Sequence, residues 1–166
     1  MTKFLISILA LLFLGRTSLF GQHNSETQQI YSYAYMVDTS AGKVDTASFI
    51  MDSIEVSAQI QKNRIVATCL FRQSKSKLVV SLYLKKKALV FVKIQEESPK
   101  MNDLSMNTLF YYKKAKLFHA DYNHTVRPCM LISWNQSVYE TYGYNPSLNA
   151  DFLKVFVLLL YNELKR

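Results

Sequence analysis

Between Ile54 and Phe71 the chain alternates apolar and polar residues almost without exception. Ile54, Val56, Ala58 and Ile60 are interleaved with Glu55, Ser57, Gln59 and Gln61, and after Lys62-Asn63 the pattern resumes with Ile65, Ala67, Cys69 and Phe71. A repeat of two matches side chains that alternate across a pleated strand, and it does not match a helix. The break between the runs is short and polar, and Asn tolerates positive φ, so the two runs are expected to form a β-hairpin.

The same pattern extends to both sides. Tyr31, Tyr33, Tyr35 and Val37 alternate with Ser32, Ala34, Met36 and Asp38, which predicts a strand, although Ser25-Glu26-Thr27-Gln28 just before it matches a helix capping box. Thr39-Ser40-Ala41-Gly42 is a turn signal, with a second strand returning from Lys43 to Met51. Gln73-Ser74-Lys75-Ser76 marks another turn, Leu78 to Leu84 a further strand, Lys85-Lys86-Lys87 a turn, and Ala88 to Ile94 the strand after it. A polar connection containing Pro99 runs from Glu96 to Asn107. Thr108–Tyr112 and Lys116–Tyr122 then flank a Lys113-Lys114-Ala115 turn. Val126 to Ser133 predicts one more strand, and Val138 to Tyr144 an aromatic loop or short strand.

Asn145-Pro146-Ser147 predicts a helix start, with Asn145 as N-cap and Pro146 in the first turn, and the helix spans about 146–164. Phe152, Val155, Phe156, Leu159 and Leu160 fall on one side of it; Asp151, Lys154, Asn162 and Lys165 fall on the other. This order of elements predicts an α+β fold: an antiparallel β-meander of about six to eight strands with the C-terminal helix packed on one face. The alternative is a small β-barrel with a flanking helix.

The two ends of the chain address compartment. Met1-Thr2-Lys3 precedes the mostly apolar run Phe4 to Gly15, which is closed by Arg16 and Thr17. A short cationic start and an apolar run too short for the ~20 residues of a membrane span read as a secretory signal peptide. Cleavage before Gln22 leaves 22–166 as one domain and an exported product, periplasmic or extracellular. Leu19-Phe20-Gly21-Gln22 resembles a lipoprotein box with Gln in place of the lipidated Cys, so the product lacks the acceptor thiol. No second apolar run reaches membrane-spanning length, because Lys154 interrupts Phe152 to Tyr161. This signal resembles those of exported Bacteroidetes-type proteins.

A weak internal repeat adds to the resemblance. Tyr83-Leu84-Lys85-Lys86-Lys87-Ala88-Leu89 lies over Tyr111-Tyr112-Lys113-Lys114-Ala115-Lys116-Leu117. The shared pattern is an aromatic, a lysine turn and a leucine. It resembles the repeated Tyr-Phe-x-Asn-Gly-Lys-Leu hairpins of small exported Bacteroidetes-type proteins, over roughly residues 78–122. The resemblance implies an array of hairpins and no particular activity. Both copies lack the turn glycine of that pattern.

The precursor carries a net charge of +8. Removing Lys3 and Arg16 leaves 20 − 2 = 18 basic residues against 12 acidic ones, a net +6. Lysines concentrate between Lys75 and Lys116, opposed there by Glu96, Glu97 and Asp103 alone. Lys85, Lys86, Lys87, Lys113, Lys114 and Lys116 are therefore candidates for contact with an anionic surface. The competing account is that they keep turns and sheet edges solvated. Tyr outnumbers Trp 11 to 1, and exposed tyrosines beside lysines suit a binding face as well as cross-strand packing. Export argues against a nucleic-acid partner. In an exported chain Cys69 and Cys129 are expected to form a disulfide.

Few residues point to catalysis. His119, Asp121 and His124 are candidate metal ligands, with His119 and Asp121 two apart on one strand face. A solvated strand end is the competing account. With 4 Gly, phosphate loops and dinucleotide fingerprints can hardly be built, and no cofactor is expected. Glu96 and Glu97 face opposite ways on a strand and make no catalytic pair. Three functions fit these observations. The first is a non-enzymatic binding module, of inhibitor or immunity type, for another exported protein. The second is a small hydrolytic or metal-dependent enzyme using His119, Asp121 and His124. The third is a peripheral protein held to an anionic envelope surface by its lysine turns.

Overall fold

The computed structural model describes residues 25–101, 104–123 and 138–165. A helix, α1 (25–38), precedes seven strands. These are β1 (Asp45–Met51), β2 (Ile54–Ile60), β3 (Arg64–Phe71), β4 (Lys77–Lys85), β5 (Ala88–Glu97), β6 (Ser105–Lys113) and β7 (Lys116–Asn123). Two helices follow, α2 (Val138–Tyr142) and α3 (Ala150–Leu164). The strands form one antiparallel sheet in sequence order, β1 to β7, and β1 does not pair with β7. The fold is thus an α+β open meander, and the barrel alternative is excluded. Both the central hairpin and the two lysine hairpins have the expected pairing.

Alternation of side chains divides the sheet into two packed faces. On one face Val56, Ala67, Cys69, Val80, Leu82, Val92, Ile94 and Phe110 meet Leu153, Phe156, Val157 and Leu160 of α3 in the main core. Here α3 runs from the end of β3, where the Phe156 ring lies 5.7 Å from Phe71, to the β4–β5 turn, where the Tyr161 hydroxyl donates to the Lys87 carbonyl at 3.1 Å. On the opposite face Ala34 and Val37 of α1 pack against Tyr83, Phe91 and Tyr111, with Ile30 and Tyr33 beside them.

The segment from Tyr31 to Val37 is helical, and the strand expected there is not formed. Two periodicities overlap in it. Tyr31, Tyr33 and Tyr35 repeat every two residues, whereas Ile30, Tyr33, Ala34 and Val37 follow i, i+3, i+4, i+7. The second set is the one buried, and Tyr31 and Tyr35 are left 55% and 68% exposed. Ser25-Glu26-Thr27-Gln28, which match a capping box, lie in the described helix.

Four further features differ from expectation. α3 starts at Ala150, four residues later than 146, because Asn149 is the N-cap and its side chain accepts from the backbone N–H groups of Asp151 and Phe152. Asn145 instead opens a turn, its carbonyl accepting from Leu148 and its side-chain oxygen from Ser147. The buried side of α3 is Leu153, Phe156, Val157, Leu160 and Tyr161, leaving Val155 and Leu159 exposed. The face is rotated because Leu153 and Val157 point at the sheet. Residues Val138–Tyr142 form a short helix in place of a loop or strand. The polar connection is shorter than its composition suggests, since β5 continues to Glu97 and β6 begins at Ser105. The strand expected at 126–133 and the signal segment lie outside the described residues.

Candidate interaction surface

The lysine turns owe their shape to backbone conformation. Lys86 and Lys87 have φ of 52° and 65°, and Lys114 and Ala115 have φ of 49° and 61°. Two successive left-handed residues between directly paired strands define a type I′ hairpin, whose twist matches that of the strands. Glycine or Asn-Gly ordinarily fills such turns; here lysine and alanine do, at a conformational cost. Each turn is followed by the same irregularity. Tyr83 pairs with Phe91 but Leu84 with Leu89, and Tyr111 pairs with His119 but Tyr112 with Leu117. Val90 and Phe118 are the extra residues of two equivalent β-bulges. The sequence repeat is therefore a structural one: Tyr83 and Tyr111 face α1, while Leu84 and Tyr112 face α3.

In a meander alternate turns emerge at one end of the sheet, and the two lysine hairpins do so together with Lys62-Asn63 of the β2–β3 turn. The Asn63 carbonyl accepts from the Leu84 N–H at 2.8 Å and ties that turn to the end of β4. The end of α3 adds Lys165, whose Nζ lies 4.5 Å from the Tyr161 ring centre. Lys62, Lys85, Lys86, Lys87, Lys113, Lys114, Lys116 and Lys165 are all exposed. Lys113 pairs with Glu26 of α1 at 2.6 Å, and Lys85 lies over the Tyr33 ring at 5.4 Å. The rim is thus basic, and α1 and α3 each contact it. Lys62 and Lys165 were not evident as members from the sequence, because their place depends on strand order and on the path of α3.

His119 and Asp121 share one face of β7, as their spacing predicts, and Nε2 of His119 lies 2.7 Å from Oδ1 of Asp121. The pair is roughly two-fifths exposed. The neighbouring Tyr111 hydroxyl is pushed up to about 12, first by burial and then by the charge of Asp121. His124 lies outside the described residues, and among those described no group of three His, Cys, Asp or Glu residues is placed to hold a metal.

Cys69 is a fully buried free thiol whose pKa burial raises to about 12. No disulfide occurs among the described residues, and Cys129 lies outside them. Glu96 and Glu97 do face opposite ways. Glu97 pairs with Lys77 at 2.9 Å in solvent, while Glu96 is 3% exposed and accepts the Asn145 N–H at 2.8 Å. Burial raises the Glu96 pKa, and the Asn145 bond offsets part of the rise.

An apolar groove of about 470 Å³ lies at the opposite end of the sheet, between α3 and the β1–β2 and β3–β4 turns. Among the described residues no helix is long and apolar enough to cross a membrane. No family model matches this chain, and no curated protein or solved structure does so either.

Proposed function

We propose that this chain is an exported, non-enzymatic interaction module that binds an anionic partner outside the cytoplasm through its lysine rim. The observation that carries this reading is the shared rim itself: three turns and the end of α3 bring eight lysines to one end of the sheet. Like charges gathered at one end of the sheet raise the local potential and favour a negatively charged partner. Export rests on the first 21 residues, with their cationic start, short apolar run and Gly21-Gln22 junction.

Binding to envelope extract and to anionic vesicles at low and moderate salt tests the reading. The comparison is wild type against a variant with Lys85, Lys86, Lys87, Lys113, Lys114 and Lys116 all changed to Gln. The expected result is salt-sensitive binding by wild type that the variant loses. Capture of a protein from extract supports an exported protein partner, and vesicle binding alone supports a lipid surface. Equal binding by both chains in every arm leaves these lysines as solubilising residues and overturns the proposal.

A further inference from the structure

The two edges of the sheet are built differently. The β7 edge carries Lys116, His119 and Asp121 along its length and a bulge at Phe118, devices that discourage further strand pairing. At the other edge β1 carries a single charge, Asp45 at its first residue, paired with Lys43 at 3.2 Å, and no bulge. From Thr46 to Met51 it contains no charge and no proline, and its register with β2 is unbroken from Asp45 to Met51. Among the described residues β1 pairs on one side only. Among the described residues its outer backbone groups are a template for pairing, and two large apolar side chains stand exposed along this edge, Val44 just before the strand at 45% and Ile50 within it at 62%.

We propose that β1 pairs antiparallel with β1 of a second copy of this chain, with Ala47 at the two-fold axis. In this register, which extends each β1 by one residue, Val44 faces Ile50 of the second copy and Ile50 faces its Val44, while Asp45 faces Phe49, so the exposed hydrophobics of the two copies cover one another. Thr46 faces Ser48 of the second copy, a favourable hydroxyl pair for opposed strands. Lys43 faces Met51 and comes beside Asp52 of the second copy, so the charges at the ends of the ladder are opposite in sign. No like charges oppose one another. The interface is isologous, as a closed dimer requires. It joins two seven-stranded sheets into one, with both α3 helices on the same face and the two lysine rims at opposite ends.

Sedimentation of the purified chain over a concentration series tests the pairing, with circular dichroism to check folding. Wild type is expected to show the mass of two chains. V44K/I50K places lysine against lysine in both outer pairs and is expected to be a monomer. V44K/I50E makes each of those pairs Lys opposite Glu and is expected to restore the dimer, which a loss of hydrophobic surface alone cannot do. Both positions are exposed, so the fold tolerates these changes. A wild-type monomer throughout, or a V44K/I50K dimer, overturns the proposal. Failure of V44K/I50E to dimerise overturns the register. These outcomes leave lysine-rim binding, measured with the monomeric variant, to stand or fall separately.

Discussion

Left-handed residues at the lysine turns show how a single position can oppose its own backbone preference. Ala115, at φ 61°, and Lys87, at φ 65°, each occupy the second central position of a type I′ turn. Left-handed backbone costs an L-residue roughly 1–2 kcal/mol, while Gly costs about 0.5–1 kcal/mol in extra backbone entropy. Ala115→Gly and Lys87→Gly are therefore each expected to stabilise the protein by about 0.5–1 kcal/mol. Midpoints of urea denaturation measure this, and Ala115→Gly does so without altering charge. Glu96 presents the reverse case, a charge in a place that disfavours it. Its pKa is raised by burial, so protonation favours the fold. Its contribution is fully present below the ordinary value of 4.5 and is lost as pH rises through the raised folded value. Glu96→Gln keeps an acceptor for the Asn145 N–H and removes the charge. The expected outcome is that the stability of Glu96→Gln relative to wild type increases between pH 4 and pH 7, as measured by denaturation at each pH.

At the scale of elements, α1 is attached by a few specific groups as well as by a small aromatic cluster. The Tyr33 hydroxyl donates to the Leu84 carbonyl at 2.5 Å, and the Tyr83 hydroxyl donates to the Asp38 carboxylate at 2.9 Å. Arg64 Nε lies 3.2 Å from the same carboxylate, so the C-terminal end of α1 is held to β3 and β4 together. Burial and Asp38 both raise the Tyr83 pKa, which keeps the phenol protonated as the donor. Tyr83→Phe removes that bond and keeps the ring packed against Phe91. A bond to a charged but half-exposed group is worth about 1–2 kcal/mol. Hydrogen exchange is expected to speed up in α1 by roughly tenfold while the sheet amides of β3–β5 change little. Uniform acceleration of both would show that α1 and the sheet open as one unit.

For the whole molecule, α3 is the element that unites the hairpins. Its Phe156 is 3% exposed, stacks on Phe152 at 5.5 Å and tilts against Phe71 at 5.7 Å. Phe156→Ala is expected to cost about 3–5 kcal/mol, through lost transfer energy and the cavity left behind. Unlike Tyr83→Phe, it is expected to lower the stability seen by helix and sheet probes alike, because the cavity opens in the core shared by α3 and five strands. Near-ultraviolet and far-ultraviolet circular dichroism followed through the same urea transition check this. Separate transitions would place α3 outside the cooperative unit.

Strands β1 to β7 were legible because period-two alternation is a local property: each side chain's face follows from its position in the run, whatever lies beyond. The lysine turns were legible for a similar reason, since polar residues between two apolar runs leave the chain few places to reverse. The helix at 25–38 was not, because Tyr31, Tyr33 and Tyr35 satisfy period two as well as Ile30, Tyr33, Ala34 and Val37 satisfy the helical repeat. Only the aromatic surface of Tyr83, Phe91 and Tyr111 decides which set is buried. The face of α3 is ambiguous for a similar reason, as a helix apolar nearly all round can bury any side. The sequence by itself determined the runs that become β1 to β7, their antiparallel meander class and the positions of the charged turns. Tertiary structure decided which periodicity of α1 wins, which side of α3 is inward, and that lysines 62 and 165 join the other six on one rim. These outcomes depend on contacts between segments far apart in the chain, where local pattern is silent and burial of apolar surface selects among otherwise comparable arrangements.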